Sequence, residues 1–366
     1  MIDFITLGGF LGAGKTTTMV QAAKRLEERG RRVAVITNDQ GVDLVDTQLV
    51  RASLDAAAEV TGGCFCCRFD DLVGVTRALV DRGDGTDTVI AEAVGSCTDL
   101  QATVLGPMRE FYGEHFRMAP LTTVVDPLRY RAFARSWDGG GRESDLSYLF
   151  RQQLAEADII GLNKIDVVGE PVLGHVVADL ARRFPSAAVV PYSARTGTGL
   201  DGLTAAWASA SAAGQVLDLD YDRYAAAEAD LAWLNQTFHT EAREEFSPVR
   251  WADVALRSLA AAAQRAGATI GHAKLTVSSP AGLTKMSVTE AGREPSVDLA
   301  ADAPVLSATV TVNARIAWEP AELDAAVAEA VRAADAATGS RSTAAPANAF
   351  RPAYPRPVHR LSAAVD

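Results

Sequence analysis

Short apolar runs rich in β-branched residues alternate with longer stretches of helical periodicity through the first two hundred residues. This alternation predicts a parallel sheet covered by helices. A helix is predicted over 16–29, because its apolar positions form one stripe and Gly30 follows as a stop signal. Strands are predicted over 3–7, 32–36, 87–91, 121–125, 158–162 and 187–192.

The pattern changes beyond a junction at 208–222 that is rich in Ala, Ser and Asp. Another helix is predicted over 251–266, followed by strands over 269–278, 283–289 and 305–318 and by a helix that begins at Pro320. The fold class is therefore α/β, a P-loop-type, mostly parallel sheet flanked by helices, with a smaller C-terminal α+β domain. The predicted divisions are a nucleotide-binding domain at 1–208, a linker at 209–235, the α+β domain at 236–337 and a proline-rich tail at 338–366 that is disordered or loosely docked.

The stretch GFLGAGKTT at 9–17 matches G-x-x-x-x-G-K-[ST] and lies between a predicted strand and a predicted helix. Glycines let backbone N–H groups converge on phosphate oxygens, and the helix N-terminus adds partial positive charge. Lys15 is expected to contact the β- and γ-phosphates, and the Thr16 hydroxyl to bind Mg²⁺. An ordinary glycine turn is the alternative. The predicted phosphate-binding residues are Gly9, Gly12, Ala13, Gly14, Lys15, Thr16 and Thr17.

A second motif, Asn163-Lys164-Ile165-Asp166, directly follows the strand predicted over 158–162. A carboxylate at Asp166 can accept two hydrogen bonds from the N1–H and 2-amino groups of guanine, which adenine cannot offer, so GTP is the predicted nucleotide. After the next strand, Ser193 and Ala194 open a loop that resembles the one covering guanine O6 in GTPases. A kinase built on the same P-loop fits less well, because it would leave N-K-x-D without a purpose.

The strand predicted over 87–91 leads into Glu92, with Gly95 three residues later. Glu92 is expected to hold Mg²⁺ or its water, and Gly95 to donate its N–H to the γ-phosphate. The predicted catalytic residues are Lys15, Thr16, Glu92 and Gly95. Asp39 or Asp43, after the second strand, could reach Mg²⁺ or position the attacking water, or could simply face solvent in a turn.

Three of the four cysteines lie within GGCFCC at 62–67. Near-adjacent cysteines pair with each other only under strain, and thiolates suit Zn²⁺, Cu(I) or Co²⁺, so a transition-metal site is predicted. A buried turn around Phe65 and a redox sensor are the alternatives. Cys97, two residues after Gly95, either joins this site or packs as a small buried thiol. The predicted ligands are Cys64, Cys66 and Cys67, with Zn²⁺ or Co²⁺ favoured.

In their order along the chain, these motifs resemble the CobW-type metallochaperone GTPases, relatives of the nickel-insertion GTPases that serve hydrogenase and urease. The resemblance covers about residues 1–335 and is carried by GFLGAGKTT, NDQG, GGCFCC, Glu92 with Gly95, TTVVD ending at Asp126, and QLAEADIIGLNKID. It implies hydrolysis of GTP to GDP and phosphate, coupled to delivery of a transition metal. Family members usually carry Glu-Thr-[Ser/Thr]-Gly where this chain has EAVG, and many have a histidine-rich stretch where this chain has five scattered histidines.

Composition and charge exclude two classes of partner, nucleic acids and membranes. A net charge of -11 leaves no basic patch for a phosphate backbone, so no nucleic-acid partner is expected. No apolar run is long enough to cross a bilayer, and Asp3 stands where a signal peptide would be basic, which predicts a cytoplasmic, reducing location without a membrane partner.

The expected partners are GTP and a client protein or cofactor pathway that receives the metal. Arg68 or an arginine from a second subunit could complete the active site, so a homodimer is compatible. The competing hypothesis is a nucleotide-dependent switch or scaffold with structural or redox cysteines.

Overall fold

The computed structural model describes residues 1–40, 45–51, 53–54, 56–138, 143–209 and 214–362. The chain forms two compact units: unit 1 is Met1–Gln40, Ser53–Ala227 and Tyr354–Asp366, and unit 2 is Gly41–Ala52 and Glu228–Ala353. These units differ from the predicted linear division, because the chain leaves unit 1 at residue 40 and returns to it at residues 53 and 354. In the described part of the chain, no helix is long and apolar enough to span a membrane.

The strands, in chain order, are β1 Ile2–Gly8, β2 Val33–Asn38, β3 Ala57–Val60, β4 Thr88–Glu92, β5 Phe116–Met118, β6 Thr122–Val125, β7 Ile159–Leu162, β8 Ala188–Pro191, β9 Ala232–Phe246, β10 Ile270–Ser279, β11 Gly282–Val288, β12 Ser296–Leu299, β13 Val305–Ile316, β14 Ser340–Ala344 and β15 Asn348–Phe350. The α-helices are α1 Lys15–Glu27, α2 Val45–Arg51, α3 Phe69–Val80, α4 Gly106–Tyr112, α5 Pro127–Asp138, α6 Asp145–Ala155, α7 Glu170–Arg183, α8 Leu200–Ser209, α9 Tyr221–Ala229, α10 Pro248–Ala266 and α11 Pro320–Thr338. A π-helical turn, Gln101–Leu105, precedes α4, and a 3₁₀ turn, Ile165–Val167, follows β7.

Unit 1 is built on a sheet in which every pair is parallel, with strand order β3-β2-β4-β1-β6-β7-β8 and β5 beside β1. Helices flank it, which confirms the predicted α/β class. Six strands match the predicted runs. The other two, β3 and β5, were not predicted, because they have only four and three residues and their sequences, AAEV and FRM, lack a β-branched apolar run.

Unit 2 holds an antiparallel sheet of order β12-β11-β10-β13-β9-β14, with β15 also paired to β9. Its buried apolar side chains pack with those of α10 and α11, including Trp251 and Leu256. The fifteen-residue strand β9 was not predicted, since its second half is the charged stretch EAREE. On its first half, Leu234 and Phe238 belong to this core, and Trp233 is buried with its ring beside that of Phe350.

Helix α2, from the segment between β2 and β3, is part of unit 2. The Asp46 carboxylate pairs with Lys274 Nζ at 2.6 Å and Lys285 Nζ at 3.4 Å. Burial alone would raise the pKa of Asp46, but the two ammonium groups and His272 hold it far below its usual range. His272 itself is a buried residue of β10, as expected of a sheet histidine.

The second half of the predicted linker and two short stretches of the predicted tail form regular elements in the structure. Residues of the linker form α9 and the start of β9, while β14 and β15 add two strands beside β9. Within the described residues 338–362, the tail is therefore paired or docked rather than disordered. Backbone pairing with an existing strand satisfies N–H and C=O groups without requiring the apolar periodicity on which the prediction depended.

Candidate nucleotide site and cysteine cluster

The register of the parallel sheet brings the predicted nucleotide motifs to one edge. Leu7 of β1 lies opposite Glu92 of β4, and Val125, Leu162 and Pro191 lie side by side at the ends of β6, β7 and β8. The loops that follow these strands therefore emerge together at the carboxyl edge, where open α/β sheets bind their ligands. Those loops carry the P-loop, Glu92, Asp126, Asn163 to Asp166, and Ser193 with Ala194.

The P-loop turns directly into α1. Gly14 caps the helix with a φ of 94°, and a Cβ there would come within 2.5 Å of Asn163 Nδ2, so glycine is required on both counts. Lys15 Nζ donates to the carbonyl oxygens of Gly9 at 2.8 Å and Phe10 at 3.3 Å, which holds the ammonium inside the loop. A positive group inside a glycine loop at a helix N-terminus suits a polyphosphate. Thr17 is half-buried in the first turn of α1.

Thr16 and Glu92 come together from two elements. The Thr16 hydroxyl donates to Glu92 Oε1 at 3.0 Å, and both residues are buried. A hydroxyl and a carboxylate facing each other beside a phosphate-binding loop are hard oxygen donors of the kind that Mg²⁺ accepts. These two residues therefore fit the magnesium role predicted for them.

The N-K-x-D motif supports the P-loop physically. The Asn163 amide donates to Ala13 O at 3.0 Å and accepts from Ala194 N–H at 2.9 Å. Lys164 has a φ of 60° and donates to Gly12 O at 2.6 Å. Asn163 thus ties together three loops that are distant in sequence.

Asp126 contacts Lys164, the second residue of the N-K-x-D motif. Its carboxylate lies 2.9 Å from Lys164 Nζ. Burial would raise the pKa of Asp126, but the ammonium of Lys164 lowers it below the usual value. Asp126 therefore holds Lys164 as a charged partner over the P-loop.

Asp166 points to the loop after β8. Its carboxylate accepts from Ser193 Oγ at 2.6 Å and from the Arg195 guanidinium. Against burial, these hydrogen bonds lower the pKa of Asp166, so it is a carboxylate ready to accept from N–H donors such as those of guanine. The contact with Arg195 was not predicted, because an exposed arginine in a loop carries no motif.

The three sulfurs of GGCFCC converge. Cys64 Sγ lies 2.9 Å from Cys66 Sγ and 3.4 Å from Cys67 Sγ, and the last two are 3.9 Å apart. Thiolates on one tetrahedral ion at about 2.3 Å would be separated by about 3.8 Å, so the cluster is compact enough to bind a single metal. None of the described cysteines forms a disulfide.

The pKa values of the three clustered thiols favour binding of a cation. Hydrogen bonds from Cys66 and then Cys67 hold the pKa of Cys64 well below its usual range, whereas the hydrogen bond with Cys64 raises that of Cys67 to about 11. The pKa of Cys66 is likewise raised by its hydrogen bonding to Cys64. A divalent ion bound by the three sulfurs would supply the positive charge needed to ionise Cys66 and Cys67 as well.

Asn38 holds the cysteine loop in place. Its side-chain amide donates to Val60 O at 2.9 Å and Gly63 O at 2.8 Å, and its oxygen accepts from Phe65 N–H at 2.9 Å. Phe65 is fully buried, as in the predicted alternative of a buried turn, so a buried turn and a convergent thiol group coexist here. Asn38 is the first residue of the NDQG stretch, and this role on the cysteine loop was not predicted.

Other residues of that segment are less defined. The Asp39 backbone N–H donates to Val60 O at 3.2 Å, and its role toward Mg²⁺ or water stays a prediction. Gly41 and Asp43 lie outside the described residues. Arg68, a predicted candidate for the catalytic arginine, forms an ion pair with Asp71 on α3.

The loop at residues 95–99 lies next to both the P-loop and the cysteine cluster. A Cβ on Gly95 would lie 3.0 Å from Leu11 N, which shows how closely this loop approaches the P-loop. Two residues later, the buried Cys97 thiol lies near enough to lower the pKa of Cys64 and to raise that of Cys66, while the sulfurs that converge within 4.8 Å of one another are those of Cys64, Cys66 and Cys67. Gln153 Nε2 supports the loop by donating to the carbonyls of Gly95 and Cys97. The 95–99 loop is therefore a physical link between P-loop and cysteines.

A buried carboxyl group anchors the end of this loop. Glu156 accepts from the Thr98 hydroxyl at 3.0 Å and from Gln101 N–H at 3.2 Å. Burial, followed by the nearby charge of Asp99, raises the pKa of Glu156 to about 8. The protonated form of Glu156 is therefore the one favoured by the fold.

This shift predicts a pH dependence of stability. Since the folded pKa of Glu156 exceeds its unfolded value, its contribution is complete below about pH 4.5 and is lost as pH rises toward about 8. We expect Glu156→Gln to unfold about 1 kcal/mol more easily at pH 5, through a lost hydrogen bond, but to lose less stability between pH 5 and 8 than wild type. Urea unfolding at several pH values measures this, with exposed Glu28→Gln as the control. An unchanged pH slope in Glu156→Gln would contradict it.

Comparison with known proteins places residues 3–191 in a family model described as CobW/HypB/UreG, nucleotide-binding domain. The zinc chaperone CobW of Pseudomonas aeruginosa is 30% identical over 208 residues, which are 51% of this chain and 55% of that protein. The zinc chaperone YjiA of Escherichia coli is 29% identical over 171 residues, 45% and 49% of the two chains. The chain thus spans about half the length of these curated relatives.

Among solved structures, HypB from Helicobacter pylori in complex with nickel is 19% identical, with a TM-score of 0.41. The alignment covers 56% of this chain and 84% of that one. A TM-score at this level supports no functional conclusion, so family membership follows from the family-model match.

Proposed function

The chain belongs to the CobW/HypB/UreG family through its nucleotide-binding domain, and on that premise we propose that it is a GTPase that binds a transition metal at Cys64, Cys66 and Cys67 and delivers it to a client protein or cofactor pathway. The observation that carries the proposal is the 95–99 loop, which approaches the P-loop at Gly95 and the thiol group at Cys97. A nucleotide can control metal affinity only if it changes the free energy of the ligands, and this loop offers that connection.

For hydrolysis, water attacks the γ-phosphorus, the bond to the β–γ bridging oxygen breaks, and GDP and phosphate leave. Lys15 would hold the β- and γ-phosphates and stabilise the charge that develops on them, and the N-terminus of α1 would add to this field. The N–H of Gly95 would donate to the γ-phosphate. Mg²⁺, held by Thr16 and Glu92, would neutralise phosphate charge when bound.

Guanine recognition is assigned to Asp166 and the loop at Ser193 and Ala194. A bound guanine would lie beneath the loop at Ala194. Its N1–H and 2-amino groups would donate hydrogen bonds to the Asp166 carboxylate and replace the hydrogen bond from Arg195. Lys164, pinned between Gly12 and Asp126, would pack against the base. Together these contacts favour GTP over ATP.

Zinc is the proposed cargo, with cobalt the alternative. Relatives 25–30% identical to this chain are named zinc chaperones or a zinc-regulated GTPase metalloprotein activator. Three clustered sulfurs suit either ion. The influence of the buried Cys97 thiol on the pKa of Cys64 supports the hypothesis that Cys97 joins the metal site, so that GTP hydrolysis would loosen the metal.

The deciding experiment is a metal titration of the reduced, metal-free protein. Zn²⁺ competition with a chromophoric chelator, and Co²⁺ monitored by thiolate charge-transfer absorption, are measured with Mg²⁺ and a non-hydrolysable GTP analogue and again with GDP. We expect one equivalent to bind, with affinities that differ between the two nucleotides by about 5- to 150-fold.

Two results would contradict the proposal. Weak or nucleotide-indifferent metal binding would favour a switch or scaffold whose cysteines are structural or redox groups. A strong preference for ATP over GTP in the same preparation would instead favour a phosphotransferase built on this P-loop.

A further inference from the structure

The 354–362 segment follows β15 yet belongs to unit 1. It lies directly on the cysteine loop. Val358 N–H donates to Cys66 O at 2.9 Å, and Arg356 N–H donates to Cys67 Sγ at 3.3 Å. The segment therefore supplies hydrogen bonds both to the loop backbone and to one of the clustered sulfurs.

Beyond these contacts the segment is anchored by charge. Arg360 Nε donates to Asp99 Oδ2 at 2.7 Å, and its guanidinium also donates to Leu217 O at 2.8 Å. The Asp99 side chain is only 1% exposed and also accepts from the Tyr221 hydroxyl at 2.7 Å. Loss of Arg360 would leave the buried Asp99 carboxylate without its cation, which is costly. The Arg360–Asp99 ion pair therefore holds the segment in place, and we call it the latch.

Aromatic and backbone contacts complete the docking. The His359 ring lies edge-on to Phe69 and tilted to Phe111, with centroids 5.1 Å away in each case. Leu361 N–H donates to Ala102 O at 2.9 Å. Prolines on both sides of Arg356 stiffen the chain and so reduce the entropy lost on docking.

We propose that residues 354–362 form a lid over the cysteine cluster, latched by the Arg360–Asp99 ion pair, that controls how quickly thiol reagents and metal ions reach the three sulfurs. Its role in metal exchange rests on the proposed function, whereas its protection of the thiols does not. Asp99 lies on the same loop as Gly95, so a change in that loop would act on the latch.

The first test needs no metal. The reaction of the reduced, metal-free protein with an aromatic disulfide reagent is followed, and modified cysteines are located by mass spectrometry. Removal of residues 354–366 is expected to accelerate modification of Cys66 and Cys67 at least tenfold, and Arg360→Gln at least threefold. Arg351→Gln is the matched control, because Arg351 pairs with Glu319 and does not touch the cluster.

A finer pair of variants isolates the contact with sulfur. Arg356→Pro removes the N–H that donates to Cys67, in a stretch that already has prolines on both sides, and Arg356→Ala keeps that N–H. We expect faster modification of Cys67 in Arg356→Pro than in Arg356→Ala. Circular dichroism checks that each variant is folded. If the truncated chain does not fold, the point variants Arg360→Gln and Arg356→Pro test the proposal without it.

The metal arm separates the lid from the cargo hypothesis. Transfer of bound Zn²⁺ to a chelator should be at least tenfold faster from the truncated chain than from the full chain. If residues 354–362 protect the thiols but the protein binds no zinc, the proposed cargo is wrong and the proposed lid is still supported. Equal thiol reactivity in wild type, the truncated chain and Arg360→Gln would overturn the lid, whatever the metal result.

Discussion

Replacing Lys15 by alanine is expected to slow GTP hydrolysis by about 10²- to 10³-fold. The Lys15 ammonium is buried in the P-loop and held by the carbonyls of Gly9 and Phe10, at the N-terminus of α1. Its loss would remove the positive charge best placed to stabilise the leaving phosphates. Formation of GDP under single-turnover conditions, with Mg²⁺ and with protein in excess over GTP at concentrations that saturate binding, measures the chemical step separately from binding and product release.

The control for this variant lies on the same helix. Lys24 is exposed in the last two turns of α1, so Lys24→Ala removes an equal charge without touching the P-loop. We expect its hydrolysis rate to stay within about twofold of wild type, as is usual for surface substitutions. Equal losses in both variants would indicate damage to α1 rather than to a phosphate site, and no loss in Lys15→Ala would refute the assigned role.

Serine at all three of Cys64, Cys66 and Cys67 is expected to weaken Zn²⁺ binding by at least about 10³-fold. Thiolate zinc sites derive about 10–16 kcal/mol from their ligands, and a neutral hydroxyl is a poor substitute for a soft, charged sulfur. Since these sulfurs converge within 4.8 Å of one another, all three should contribute to one site. Competition against a chelator of known affinity, with and without the GTP analogue, gives the loss directly.

Cys97→Ser is the companion variant. It keeps the three converging sulfurs and changes only the thiol that reaches them from the 95–99 loop. One equivalent of Zn²⁺ should still bind, and a reduced difference between nucleotide states would reveal Cys97 as the coupling group. Wild-type affinity in both states would exclude Cys97 from the site, and tight binding by the triple variant would place the metal elsewhere.

The nucleotide half of the site was readable from the chain because its parts are local. A P-loop needs consecutive residues between a strand and a helix, and both neighbours have strong periodic signals in this chain. Once the strands are parallel, their ends share one edge, so Glu92 and Asn163 had to lie near the P-loop. The packing of Asn163 against Ala13 is a consequence of that register.

The strands that escaped prediction have weaker local signals. Four residues in β3 and a charged half in β9 leave too little alternation to recognise, and both strands form because neighbouring strands satisfy their backbone groups. The same reason explains why β14 and β15 fell within a predicted disordered tail. Residues of β14 and β15 pair with residues of β9 that lie from 98 to 117 positions earlier, and partners at such distances do not appear in a local pattern.

By itself, the sequence determined the parallel α/β architecture, the phosphate and base motifs, and a thiol group dense enough to bind a metal, because each depends on residues close together in the chain. Only the tertiary structure decided that Asn38 holds the cysteine loop, that the 95–99 loop reaches both P-loop and thiols, and that the 354–362 segment lies over the cluster. These are contacts between residues from 25 to 289 positions apart. Long-range contacts of this kind follow from packing and from pairing of polar groups, which no spacing along the chain encodes.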